Sequence, residues 1–253
     1  MLPFGDAATR PAPLTRRSLD DPCTADRSRV ERAAGNRSAL DPAALLATWV
    51  AETAGGTDDL KPRLLRLANG HLVPLDVARW SGPVDAADES LLARTAGSVL
   101  DVGCGPGRLT AALHVNGVDV LGLELVPELP VLARAVGAPL ALGDVFDEVP
   151  RSGQWDSVLL ADGNIGIGGN AAALLRRSAE LLSPAGRVLV ELSPGAEPPA
   201  GPVRLEGLGT TSAWFRWALL GRSSLSATAS AAGLDVRETW SSYGRLFAAL
   251  SPI

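Results

Sequence analysis

An acid two residues ahead of three alternating glycines, in Asp101-Val-Gly103-Cys104-Gly105-Pro-Gly107, is the stretch of this chain best suited to chemistry. Glycine has no Cβ to hold a ligand away and adopts positive φ freely, so such a turn brings backbone N–H groups close to a bound molecule. Three more acids close later apolar runs: Glu124 after residues 118–123, Asp144 after 140–142, and Asp162 after 155–161. In an open α/β sheet the carboxyl ends of the strands surround the ligand site. At the second of these tips the Glu124 carboxylate offers two oxygens to hydrogen-bond donors of a ligand.

Elements that position these residues follow from hydrophobic periodicity. Residues 98–102 read as a buried strand, and Leu109, Ala112 and Leu113 recur on one helical face beyond the glycine turn. Strands at 118–123, 140–142, 155–161 and 187–192 then alternate with helices at 131–136 and 171–182, which implies an α/β fold with a mostly parallel sheet and helices on both faces. A helix at 225–232 and two strands at 234–240 and 245–250 end the chain as the antiparallel edge. Residues 194–222, with Pro194, Pro198, Pro199 and Pro202, read as an irregular interruption.

Ahead of the sheet the chain divides in two. Residues 1–40, rich in Pro and Arg, read as a flexible leader, and 41–97 as a helical and hairpin extension that covers the domain at 98–253. Asp41-Pro42 supplies an N-cap and N1 proline for an amphipathic helix. Asn69-Gly70 suits a type I′ hairpin, Pro74 confines the second hairpin strand to an edge, and Asp85 with Asp88 forms a capping box on a short helix closed by Gly97.

Composition sets bounds. No run of eighteen apolar residues occurs among the 253, so no membrane helix is expected, and the lack of a basic-then-apolar N-terminus makes the cytoplasm the default. A net charge of −5 argues against nucleic acid as a partner, because phosphate binding rests on clustered Lys and Arg. Of the two cysteines, Cys23 and Cys104, the second fills a small-residue slot in the glycine turn.

The acid-x-G-x-G-x-G order resembles motif I of the class I S-adenosylmethionine (SAM) dependent methyltransferases, and the resemblance runs across most of 98–250. A dinucleotide fingerprint counted from Gly103 would put its third glycine at Arg108, which counts against NAD. The resemblance implies a Rossmann-like, seven-stranded sheet and SAM as cofactor. It assigns Asp101, Gly103, Cys104, Gly105 and Gly107 to the methionine end and Glu124 with Leu125 to the ribose side. Asp144 and the Val145 N–H then meet the adenine, on which Phe146 or Leu125 stacks, and Ala161 with Asp162 stands beside the methionine. The stretch around 181–188 matches the helix, turn and fifth strand usual in the family.

The acceptor is then expected to be a small molecule, lined by Asn164, Trp214, Trp217 and Tyr243. Candidate bases are His71, which otherwise is a plain turn histidine, and Asp162, which otherwise orients the methionine ammonium. Asp162-Gly-Asn-Ile165 departs from the Asn/Asp-Pro-Pro-aromatic run of DNA amino-methyltransferases. Leu192-Ser-Pro-Gly195 lacks the Asp-Asn pair of metal-dependent catechol-type enzymes, so no metal is expected. Two alternatives stay open: a SAM-binding protein without turnover, and another Rossmann-like enzyme such as an NAD-dependent oxidoreductase. The oligomeric state and the atom methylated are not written in the sequence.

Overall fold

Side-chain alternation along the central strands decides the architecture. In the computed structural model, which describes residues 39–55, 62–194, 201–207 and 209–253, Val158 and Leu160 point into one core while Leu159 and Ala161 point into another. Val188 and Val190 oppose Leu189 in the same way. Strands apolar on both faces must be covered twice, which is why helices lie on each side.

The covering segment comes first in the chain. Helix α1 (Pro42–Ala54) starts as expected, with Asp41 accepting the Ala44 N–H at 3.0 Å and proline at N1. Strands β1 (Leu64–Leu67) and β2 (Leu72–Pro74) form the hairpin, and β2 is an edge strand. The turn is not type I′. Among the two turn residues only Gly70 has positive φ, the Gly70 N–H bonds Leu67 O, and the Leu67 N–H bonds His71 O. That makes a three-residue loop closed by a left-handed glycine, which adds a bulge. Helices α2 (Val77–Ser81) and α3 (Ala86–Leu92) come next. The capping box on α3 is present in both directions, but the helix ends at Ala93 rather than at Gly97.

The second part alternates strands β3 (Val99–Val102), β4 (Val120–Glu124), β5 (Leu140–Leu142) and β6 (Trp155–Leu160) with helices α4 (Arg108–Val115) and α5 (Val131–Ala135). Helix α6 (Ala171–Leu181) runs directly into β7 (Leu182–Leu192), so the strand begins five residues earlier than periodicity suggests and absorbs Ser183 to Gly186 through an irregular register. Residues 201–217 correct the expected irregular stretch: they form β8 (Gly201–Gly207), β9 (Thr210–Thr211) and β10 (Phe215–Trp217). Pro198 and Pro199 lie outside the described residues. Helix α7 (Leu225–Ala231), β11 (Leu234–Ser242) and β12 (Arg245–Pro252) finish the chain.

Two sheets result. The larger has the order β11-β12-β7-β6-β3-β4-β5, seven strands, with only the β12 pairings antiparallel. Its order reverses between β4 and β6 on either side of β3, which places the crevice for a ligand at the β3 tip. The smaller, antiparallel sheet joins the hairpin to the late insertion in the order β10-β8-β1-β2. Trp49 of α1, Leu65 and Leu67 of β1, and Val203 and Leu205 of β8 share its core.

Of the leader expected at 1–40, residues 1–38 lie outside the described residues. Leu40 bridges to Ser212. No helix among the described residues is long and apolar enough to cross a membrane.

Candidate active site

The glycine turn is tied to the neighbouring strand before any ligand is considered. Gly103 N–H and Cys104 N–H both donate to Leu123 O, at 2.8 and 3.1 Å. Asn164, in the 3-10 turn after β6, donates from Nδ2 to Val102 O and Gly103 O at 2.9 and 2.8 Å. Glycine is required at 103 by sterics as well as by its positive φ, since a Cβ there would come within 2.9 Å of Ile167 and 3.1 Å of Asn164. At Gly105 a Cβ would meet nothing closer than 4.0 Å, so that backbone faces open space.

Glu124 terminates β4 with its carboxylate locked by main-chain donors. Oε2 accepts from Gly105 N–H at 2.8 Å, and Oε1 from the N–H groups of Leu125 and Val126 at 2.8 and 2.9 Å. Asp144 sits at the next tip, accepting the Phe146 N–H at 3.0 Å. Asp101 is buried, and the Thr110 hydroxyl donates to it at 2.6 Å. Burial raises its pKa to about 6 against an ordinary 3.8, the hydrogen bond opposing and the charges of Asp162 and Glu124 adding to the rise. Burial likewise pushes the Cys104 thiol far up, with Asp101 and Glu124 adding to it, so this sulfur stays protonated.

Beneath the turn lies a knot of charge. Arg108 pairs with Asp162 at 2.7 Å and with fully buried Asp88. Arg245 bonds Asp88 at 2.6 Å, both oxygens of Glu191 at 2.8 and 2.7 Å, and Asp162 at 3.3 Å. Arg79 of α2 reaches Asp162 at 3.1 Å, and the Asp162 N–H donates to Glu191 at 2.6 Å. Charges this deeply placed persist because each has partners.

These groups open on one cavity of about 790 Å³, within the range of roughly 300–1,000 Å³ usual for small-molecule sites. Asp101, Gly103, Cys104, Gly105, Glu124, Asp144 and Asp162 all line it, as do apolar residues of the smaller sheet.

No protein-family model matches the chain. It is 36% identical over 112 residues to an uncharacterised methyltransferase of Mycobacterium bovis, covering 44% of this chain and 45% of that protein. It is 35% identical over 101 residues to a ubiquinone biosynthesis O-methyltransferase of Xylella fastidiosa, covering 36% of this chain and 40% of that one. The chain therefore spans less than half the length of these curated relatives. A SAM-dependent methyltransferase from Bacteroides fragilis, solved with S-adenosyl-L-homocysteine (SAH), matches 84% of this chain and 94% of its own, with a TM-score of 0.66 and 21% identity. The chain thus shares the fold of that SAM-dependent methyltransferase.

Within this methyltransferase fold the expected site residues separate. Leu125, Val145, Phe146, Ala161, Asn164, Trp217 and His71 line the cavity together with the acids. Three do not. Gly107 caps α4 and faces away, and a Cβ on it would lie 2.5 Å from Ala133. Trp214 precedes β10 and lies under the Arg204 guanidinium at 4.9 Å. Tyr243 occupies the β11–β12 turn at positive φ and is 84% exposed. Asp162 is unsuited to act as a base, because three guanidiniums already hold its oxygens. Residues that sequence reasoning missed are Arg79, Arg108, Glu191 and Arg245. Glu191 lies inside the fifth strand, one residue short of its end, so a search for acids just past each apolar run passes over it.

Proposed function

We propose that the chain is a SAM-dependent methyltransferase acting on a small-molecule acceptor. The observation that carries this reading is the convergence of Glu124, Asp144 and the open backbone at Gly105 on one cavity at the topological switch point. A nucleoside bound there needs an acid for its sugar hydroxyls and another for a purine amine, and the two stand on adjacent strand tips. The residues fit the cofactor: Glu124, preset by three N–H bonds, would hold the ribose, and Asp144 with the Val145 N–H would hold the adenine edge. Half-exposed Phe146 and exposed Leu125 flank the base. Gly103, Cys104 and Gly105 cradle the amino-acid end, beside Asp101 and the charge cluster.

SAM, when bound, supplies a methyl group already activated by the sulfonium charge, so the protein's task is alignment and exclusion of water. The chain does this by holding the glycine turn between Leu123 and Asn164 and by roofing the cavity with the smaller sheet. The related ubiquinone biosynthesis O-methyltransferase supports a small-molecule acceptor.

Calorimetric titration with SAH, SAM and NAD tests the cofactor. SAH and SAM are expected to bind and NAD to give no heat; binding of NAD alone overturns the reading. Transfer of label from methyl-labelled SAM into small molecules of a cell extract distinguishes turnover from passive binding.

A further inference from the structure

The cavity is divided by chemistry. Its paired charges, Arg79, Arg108, Asp162, Glu191 and Arg245, gather at the sheet tips and satisfy one another. The opposite wall, from the smaller sheet, presents Leu65, Val73, Leu75, Leu205, Phe215 and Trp217. Phe215 and Trp217 meet edge to face with centroids 6.1 Å apart, and Arg216 between them in β10, although exposed, also lines the cavity.

This wall is fixed in place. A Cβ on Gly166 would lie 2.1 Å from the Trp217 indole nitrogen, and one on Gly169 2.6 Å from the Arg216 Cβ. Two glycines therefore let β10 seat directly on the turn after β6, and the Ala218 N–H bonds Gly166 O at 3.0 Å. At the rim stands His71, lifted there by the hairpin, exposed and lining the cavity. Its imidazole makes no hydrogen bond or ion pair among the described residues.

We infer that the acceptor is an uncharged, ring-bearing molecule with an ionisable hydroxyl, its ring against Phe215 and Trp217 and its hydroxyl proton taken by His71. A charged substituent brought against this wall loses water, and the nearby guanidiniums of Arg79 and Arg216 are already engaged, whereas a flat ring gains aromatic contact. The inference rests on the methyltransferase reading. The acceptor oxygen forms the new C–O bond as the methyl C–S bond breaks, its electron pair staying on sulfur to leave a neutral thioether. The hydroxyl proton goes to the free imidazole nitrogen and then to solvent.

Calorimetry on the full chain, with 2-naphthol as probe and its 6-sulfonate as charged control, tests this. SAH is titrated first, and its failure to bind overturns both readings. With SAH bound, 2-naphthol is expected to bind at least about tenfold more tightly than the sulfonate. Trp217→Leu should weaken naphthol by about tenfold while SAH affinity stays unchanged. Equal affinity for the two probes, or indifference to Trp217, overturns the acceptor class and leaves the cofactor reading standing.

His71→Ala is expected to bind SAH and naphthol as the parent does, to methylate naphthol about a hundredfold more slowly, and to recover with added imidazole. An undiminished rate, a loss that imidazole does not restore, or a parent that binds naphthol without methylating it overturns the role of His71.

Discussion

The two sheets of this protein solve opposite problems. The seven-stranded sheet collects acids at its tips: Asp101, Glu124, Asp162 and Glu191 stand at successive strands, the last three held by backbone donors or arginines and buried Asp101 by the Thr110 hydroxyl. The smaller sheet carries an almost wholly apolar inner face, of Leu65, Val73, Leu205, Phe215 and Trp217. One surface suits a polar, charged cofactor and the other a less polar partner molecule. Their separation implies that the two ligands can be disturbed independently, and variants on each side sharpen or break that division.

The largest effect is expected at Asp88, sealed between Arg108 and Arg245. Asp88→Ala leaves two guanidiniums partly unpaired, which should cost about 3–5 kcal/mol, read from the urea unfolding midpoint. A variant as stable as the parent would show that the charge cluster does not hold the floor together.

Asp101→Asn should act in the opposite direction. Because burial raises this pKa from 3.8 to about 6, the unfolded chain releases its proton first as pH rises. The parent loses stability between those two values and stays lower above them. At pH 7 the amide variant is therefore expected to be more stable by roughly 3 kcal/mol, with no difference below pH 3. Thermal unfolding across pH 3–8 measures it, and a pH-independent difference removes the electrostatic explanation.

Glu124→Gln should weaken SAH by about 1.5–3 kcal/mol, the range for a hydrogen bond to a charged group, and leave 2-naphthol binding to the SAH-saturated protein unaltered. Gly166→Ala tests the joint between the two regions. Its new methyl displaces Trp217, at a cost of about 1–3 kcal/mol in stability, and it should lower naphthol affinity more than SAH affinity. Equal losses for both ligands would mean that floor and roof move as one. The smallest effect is expected from Asp144→Ala, about 1.5 kcal/mol in SAH affinity, the low end of the range for a hydrogen bond to a charged group, because only one amine bond is lost.

The same contrast explains what the sequence made legible. The larger sheet announces itself locally, through a glycine turn, buried apolar runs and an acid at each run's end, so Gly103, Glu124 and Asp144 are found by reading forward. The smaller sheet has no such signal. Its β1 pairs with β8, whose Val203 and Leu205 sit beside Pro202 in a stretch that reads as loop, and neither segment has enough neighbours to reveal the partner.

Aromatic content alone also misleads. Trp214 and Trp217 look equivalent in sequence, but strand direction sends only Trp217 into the cavity. Arg108 reads as a misfit in a glycine fingerprint and Asp88 as a helix cap, and only folding reveals them as partners.

Because β1 and β8 lie on either side of the whole parallel core in the chain, the roof can close only after all the parallel strands have been made. As the polypeptide leaves the ribosome, Leu65 and Leu67 emerge long before Val203 and Leu205 exist to shield them. The parallel strands can assemble meanwhile from contacts between neighbouring segments, so a nascent chain halted before residue 201 would carry them, still lacking Arg245 and β12, beneath an unshielded hairpin.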